Sequence, residues 1–209
     1  MTATSQTPPA YQPVKGIARV ARVATEVAQP PLVLSLLLIL ASVKGGDTTW
    51  HVSLMPGMIA ALTICLVPLL AVVVLAKRGT LTDHHVGDKK QRRPVMLWTL
   101  GSALIGCAIL ATIGASTQVW ALIAGILCGI LTLIVISPIW KMSGHALTLG
   151  GTATASVLIF GWWGLPFVVA APLVCWSRVY LGDHTTSQVS VGFITGVIVF
   201  GVSCGLILG

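Results

Sequence analysis

Along this chain hydrophobic positions gather into long uninterrupted runs, separated by short polar joints. They show neither the alternation of a half-buried strand nor the one-sided periodicity of a soluble helix. A helix that crosses a bilayer requires about 20 mostly apolar residues, within a range of roughly 17 to 25. Residues 52–76 carry no charge, and Lys77 and Arg78 end the run. A helix is predicted there despite Pro56 and Pro68, because neighbouring helices can satisfy the backbone groups that prolines free. Residues 94–140 are also uncharged, but far too long for one crossing. They break at Gly114-Ala115-Ser116-Thr117-Gln118, which predicts two helices and a tight turn. Residues 142–177, uncharged apart from His145, break at Gly161-Trp162-Trp163-Gly164-Leu165-Pro166. Two short helices fit, with the tryptophan pair at headgroup level. The last span covers residues 186–208. A further stretch, 27–43, is short and opens on Pro30-Pro31. The expected fold is all-α: a polytopic integral membrane helical bundle of six core transmembrane helices plus a short N-terminal span.

Ahead of these spans, residues 1–13 mix Thr, Gln and Pro without periodicity, as a disordered tail does. Residues 14–28 alternate Lys15, Arg19 and Arg22 with Ile17, Val20, Ala24 and Val27 at helical spacing. That pattern predicts an interfacial amphipathic helix. A signal peptide is the competing reading, since charges precede an apolar stretch ending in Ala41-Ser42-Val43; two prolines at the start of that stretch count against it. Residues 29–209 form the membrane domain.

Composition agrees with the pattern and narrows the function classes. Of 209 residues 56% are hydrophobic and 8% charged, with a mean hydropathy of +0.96. A soluble domain carries about a quarter charged residues, so a soluble enzyme, a disordered chain and a DNA-binding domain are all disfavoured. The net charge of +7 has to be read by position. If all seven stretches cross, the N-terminus and residues 79–93, 141–145 and 178–188 share one side. The other side holds only Lys44 and Asp47, and the positive-inside bias then assigns the charged face to the cytoplasm. Cys65, Cys107, Cys128, Cys175 and Cys204 all lie in apolar stretches without paired spacing, and read as small core hydrophobes. Gly101, Gly106, Gly125 and Gly129 read as sites of close helix packing.

In so apolar a chain each ionisable residue near the membrane needs a reason. Three polar clusters flank helices on the charged side: Asp88-Lys89-Lys90-Gln91-Arg92-Arg93-Pro94, then Trp140-Lys141-Met142-Ser143-Gly144-His145, then Ser177-Arg178 with Asp183-His184 and Gln188. One pocket could receive all three. Lys89, Lys90 and Arg92 can equally be read as solvated loop ends. Arg178, His145 and His184 sit beside small residues at helix ends, outside charge runs. Asp83-His84-His85 with Asp88 offers metal-ligand types, but the spacing satisfies no ligand rule cleanly, and a solvated loop or substrate lid competes.

The second and third clusters resemble the signature of the type-2 phosphatidic acid phosphatase superfamily, the membrane lipid phosphate phosphatases. Ser143-Gly144-His145 is similar to its second motif. Its third, Ser-Arg followed after five residues by His, is matched by Ser177-Arg178 and His184. The resemblance covers residues 93 to the C-terminus. In the first motif only Arg93-Pro94 matches: Val86 stands where the family has Lys, and Lys89, Lys90 or Lys141 is left to supply the cation. Gln188 replaces the usual Asp, and His184-Thr185 with Gln188-Val189 looks like the variant of dolichyl-diphosphate phosphatases.

The resemblance implies a metal-independent phosphatase, without cofactor, acting on a lipid phosphate or diphosphate, with a lean towards polyprenyl substrates. Its partners would be the bilayer and that lipid, not nucleic acid, with homo-oligomerisation left open. Its expected place is a bacterial plasma membrane. His184 would attack phosphorus and His145 would protonate the leaving alkoxide, then activate water. Gln188 would orient the His184 ring. Arg93 and Arg178 would fork onto phosphate oxygens, and Ser143-Gly144 would open a helix whose free amides suit an anion. Alternatives are a phosphatidic acid or phosphatidylglycerol phosphate phosphatase, a lipid phosphotransferase, and a small anion transporter lined by the same basic residues.

Overall fold

The computed structural model describes residues 16–46, 50–78 and 89–209, and for 50–53 and 89–93 the backbone alone. These residues form α1 (Ile17–Val27), α2 (Pro30–Gly45), α3 (Trp50–Ala60), α4 (Val67–Lys77), α5 (Lys89–Ile113), α6 (Thr117–Ile136), α7 (Gly144–Phe160), α8 (Leu165–Tyr180) and α9 (Thr186–Leu208). A π-helical turn, Ala61–Leu66, joins α3 to α4, and a 3-10 turn, Gly161–Gly164, joins α7 to α8. Among the described residues there is no strand. The protein is an all-α bundle, and its apolar helices make it an integral membrane protein.

Five continuous helical segments have the length and hydropathy to span a bilayer: Leu54–Lys77, Pro94–Ile113, Thr117–Ile136, Gly144–Tyr180 and Thr186–Leu208. The fourth, 37 residues long, is folded back on itself. Gly161 takes a φ of +60°, a conformation side chains resist, and the Ser156 hydroxyl donates to the Gly164 carbonyl at 3.1 Å. Leu149 of α7 then clusters with Ala171 and Val174 of α8. The result is the predicted pair of short helices, 17 and 16 residues long. Trp162 and Trp163 stand exposed at the tip.

Pro68 explains the π turn. It has no N–H to bond the carbonyl four residues back, and the ladder widens before it. Ser102 of α5 donates its hydroxyl to the Thr63 carbonyl inside that turn, and Gly106 lets α5 approach there. Near Pro56, the Gly57 N–H donates to Ser42 Oγ at 3.0 Å. Adjacent helices therefore serve the proline-bearing span as expected.

The structure adds two features to the N-terminal part. The short stretch that opens on Pro30-Pro31 is a core helix: Leu37, Leu38 and Ala41 of α2 are fully buried. Its length is compensated by its central position against α3, α6, α7 and the π turn. Helix α1 also has neighbours within the bundle. It meets α2 at a 49° bend and packs along α8, with Ala21 and Thr25 buried. Its apolar stripe of Ile17, Val20, Val23 and Val27 stays exposed.

The core centres on Phe200 of α9, 1% exposed, whose ring fills notches at Gly125 of α6 and Gly151 of α7. Helices α7 and α9 touch backbone to backbone at Gly150, Gly192 and Gly196; a Cβ on Gly192 would lie 2.6 Å from the Ser143 carbonyl. Gly106, Gly125 and Gly129 are packing sites as predicted, but Gly101 faces open space. The cysteines divide too. Cys65 and Cys204 are buried, Cys107 and Cys175 are half-buried, and Cys128 is exposed on the apolar outer surface; lipid solvates a thiol as readily as a core does.

The α1–α2 corner, the ends of α4, α6 and α8, and the starts of α5, α7 and α9 share one end of the bundle. At the other end the C-terminus of α2 meets the start of α6, where Gly45 abuts Ser116. The described residues of the three polar clusters thus share one end.

Candidate functional site

The site is assembled where α8 ends and α7 and α9 begin. After Tyr180 the chain closes a tight turn, Leu181 N–H bonding the Ser177 carbonyl at 2.9 Å and Gly182 N–H the Val179 carbonyl at 3.0 Å. Gly182 takes a φ of +75°, which a glycine tolerates without strain. The chain then doubles back, and the His184 N–H reaches the Arg178 carbonyl at 3.2 Å. Two residues six apart in sequence thereby become neighbours.

Helix α9 opens on a capping box: Thr185 Oγ1 accepts from the Gln188 N–H at 3.3 Å, and Gln188 Oε1 accepts from the Thr185 N–H at 3.2 Å. The same Oε1 lies 3.1 Å from His184 Nδ1. A backbone N–H only donates, so the Gln188 atom it meets is the amide oxygen, and His184 Nδ1 must be the donor towards it. This network assigns the neutral tautomer with its proton on Nδ1 and leaves Nε2 as a base. Burial holds the His184 imidazole below its ordinary pKa; the Gln188 hydrogen bond opposes this, the charges of Arg178 and Lys141 add to it, and Asp183 opposes it again.

Arg178 is 4% exposed. Its Nη1 lies 3.0 Å from Asp183 Oδ2, an ion pair whose angle falls short of a hydrogen bond, and its Nε has no partner among the described residues. A buried guanidinium with donors to spare is a costly arrangement unless an anion meets it. Asp183, adjacent to His184 in sequence, forms its ion pair with Arg178. Lys141 donates to the Asp183 carbonyl at 2.9 Å, so it secures the loop that carries His184. One of its three donors is occupied in this way.

Ser143 is the N-cap of α7, its hydroxyl accepting from the Ala146 N–H at 3.4 Å, and its own N–H donates to the Gln188 carbonyl at 3.3 Å. This bond ties the first turn of α7 to that of α9. Ser143 is fully buried. A Cβ on Gly144 would meet only Leu133, at an ordinary 3.6 Å. Packing therefore supplies no reason for a glycine there. His145, half-buried in the same first turn, lines with Gly144 an apolar cavity of about 280 Å³. Gln29, Ile64, Val95 and Phe200 are among its other walls.

Lys89, Lys90 and Arg93, expected in a loop or at its edge, have their backbone in the first turns of α5; their side chains lie outside the described residues. Val95, two residues beyond Arg93, lines the same cavity as His145. The Asp83, His84, His85 and Asp88 cluster and the tail 1–13 also lie outside the described residues.

Sequence reading missed the contribution of α1. Thr25 Oγ1 is 2.7 Å from Ser177 Oγ, and both residues are buried. The charge of Glu26 reaches Arg178, while its Oε2 accepts from Gln29 Nε2 at 2.5 Å. The available signal was a second stripe, Ala21, Thr25 and Ala28, small residues at helical spacing beside the valine stripe. No protein-family model, curated protein or solved structure matches this chain.

Proposed function

We propose that this protein is an integral membrane phosphatase that hydrolyses a lipid phosphate or diphosphate, polyprenyl-linked by preference, through a phosphohistidine. The observation that carries the reading is a buried Arg178 whose Nε has no partner among the described residues, beside a His184 whose Nδ1 is anchored by Gln188, which leaves Nε2 to act as the base. Phosphoryl transfer asks a protein chiefly for positioning and for charge against the equatorial oxygens. Arg178 supplies such charge, and the Gly144 amide opens α7 at the same end, the Ser143 amide being taken by the Gln188 carbonyl. The resemblance to the type-2 phosphatidic acid phosphatase superfamily rests on these same residues.

In the reaction the substrate's phosphoryl group exchanges with Asp183 at the Arg178 fork. His184 Nε2 bonds to phosphorus as the P–O bond to the leaving oxygen breaks, and His145 gives that oxygen its proton. His145, now a base, takes a proton from water, whose oxygen displaces His184 and frees inorganic phosphate. The apolar cavity beside His145 supports a lipid substrate over a small polar one. With the basic residues at this end, the positive-inside bias favours a cytoplasmic site in a plasma membrane.

Purified protein should release inorganic phosphate from a polyprenyl phosphate or diphosphate with EDTA present, and His184→Ala should lower the rate by at least a hundredfold. Full activity in that variant would remove the nucleophile assignment. Phosphate transferred to a lipid acceptor instead of water would mark a phosphotransferase, and flux into liposomes without hydrolysis a carrier.

A further inference from the structure

Helix α1 lies outside the stretch that carries the phosphatase-like motifs, yet it touches the site. Ser177 Oγ donates its one proton to the Val174 carbonyl at 2.7 Å, so at the 2.7 Å contact with Thr25 it accepts, and Thr25 is the donor. The chain Thr25–Ser177–Val174 crosses from α1 into the last turns of α8, one residue before Arg178. Both hydroxyls are almost wholly buried, Thr25 at 2% and Ser177 at 0% exposure. Without its partner, Ser177 Oγ would keep a dry lone pair. Ala21, four residues earlier on α1, is fully buried as well, and α1 packs along α8. Arg178, next in the chain after Ser177, is 4% exposed, and in a dry site a charge acts on an anion far more strongly than in water.

We propose that Thr25 of α1 is a positioning residue for the phosphate site: through its hydrogen bond to Ser177 it fixes the end of α8 from which Arg178 reaches the phosphoryl group. The proposal rests on the phosphatase reading above. It makes α1 part of the working enzyme.

Orthovanadate, which takes the five-coordinate geometry of phosphoryl transfer, is the probe, with the full-length protein in detergent. Thr25→Val keeps the shape and removes the donor. It should raise the vanadate inhibition constant by about fivefold to tenfold, the effect of one lost buried hydrogen bond. Thr25→Ser should restore it. Ser177→Ala should give the same weakening, and the double variant no more than either alone, because both remove one bond. A purely structural Thr25 would lower the melting temperature and leave the inhibition constant unmoved. A wild-type inhibition constant in Thr25→Val, or in Ser177→Ala should the first variant not fold, overturns the positioning role. Failure of the phosphatase reading is distinct: the wild-type protein itself would then release no phosphate and show no vanadate inhibition.

Discussion

His184 is a base by virtue of its neighbours. Gln188 receives two donors on one oxygen, which fixes the imidazole proton on Nδ1, and burial disfavours a second proton on the ring. An aspartate at 188 would do the first task and undo the second, because its charge favours the imidazolium. The acid limb of kcat/KM should therefore lie below the ordinary imidazole value of about 6.5. A nucleophile with a lowered pKa stays unprotonated as the pH falls past that value, and activity is lost only on passing the lowered one. Gln188→Asp should move the limb to higher pH, as a pH–rate profile of both proteins would reveal; an unmoved limb would assign it to another group. The sequence exposed the histidines, Arg178 and Gln188 through motif spacing. It hid the partner of Asp183, because only the Gly182 turn returns that carboxylate to Arg178.

Among the helices, the α7–α9 contact has least freedom. Gly196 lies so close to the Leu147 carbonyl that a methyl group must push the backbones apart. Gly196→Ala should therefore cost about 1–3 kcal/mol in reversible unfolding from detergent and, by loosening the Ser143–Gln188 link, reduce activity as well. Gly101→Ala faces open space and should gain about 0.5–1 kcal/mol from helix propensity alone. Run lengths in the sequence sufficed to divide residues 94–140 and 142–177 into helix pairs. Which glycines met a neighbour was not legible, because all four considered share a composition and only the tertiary register separates them. The same limit concealed the docking face of α1, where one threonine among alanines reads as a weak break in an amphipathic pattern.

Over the whole molecule, chain reversal brings residues from four distant parts of the sequence to one end, next to a cavity that no single helix contains. The sequence conveyed the reversal through its apolar runs, whereas the cavity depends on side chains from six helical segments and was invisible to it. Val95→Trp, on the wall shared with His145, should fill that space. Activity on a long polyprenyl phosphate should fall about tenfold relative to a short water-soluble phosphomonoester; equal losses on both would separate the cavity from the tail. For the proposed phosphatase, the hairpin of α7 and α8 has a different bearing, on how a lipid would be met. Helices of 17 and 16 residues reach about 25 Å, roughly 5 Å less than the oily layer of an ordinary bilayer. Lipids bordering that wall must compress to match it. The resulting dimple would draw neighbouring headgroups down towards Arg178 and His184, sparing a phosphate the climb out of its own leaflet.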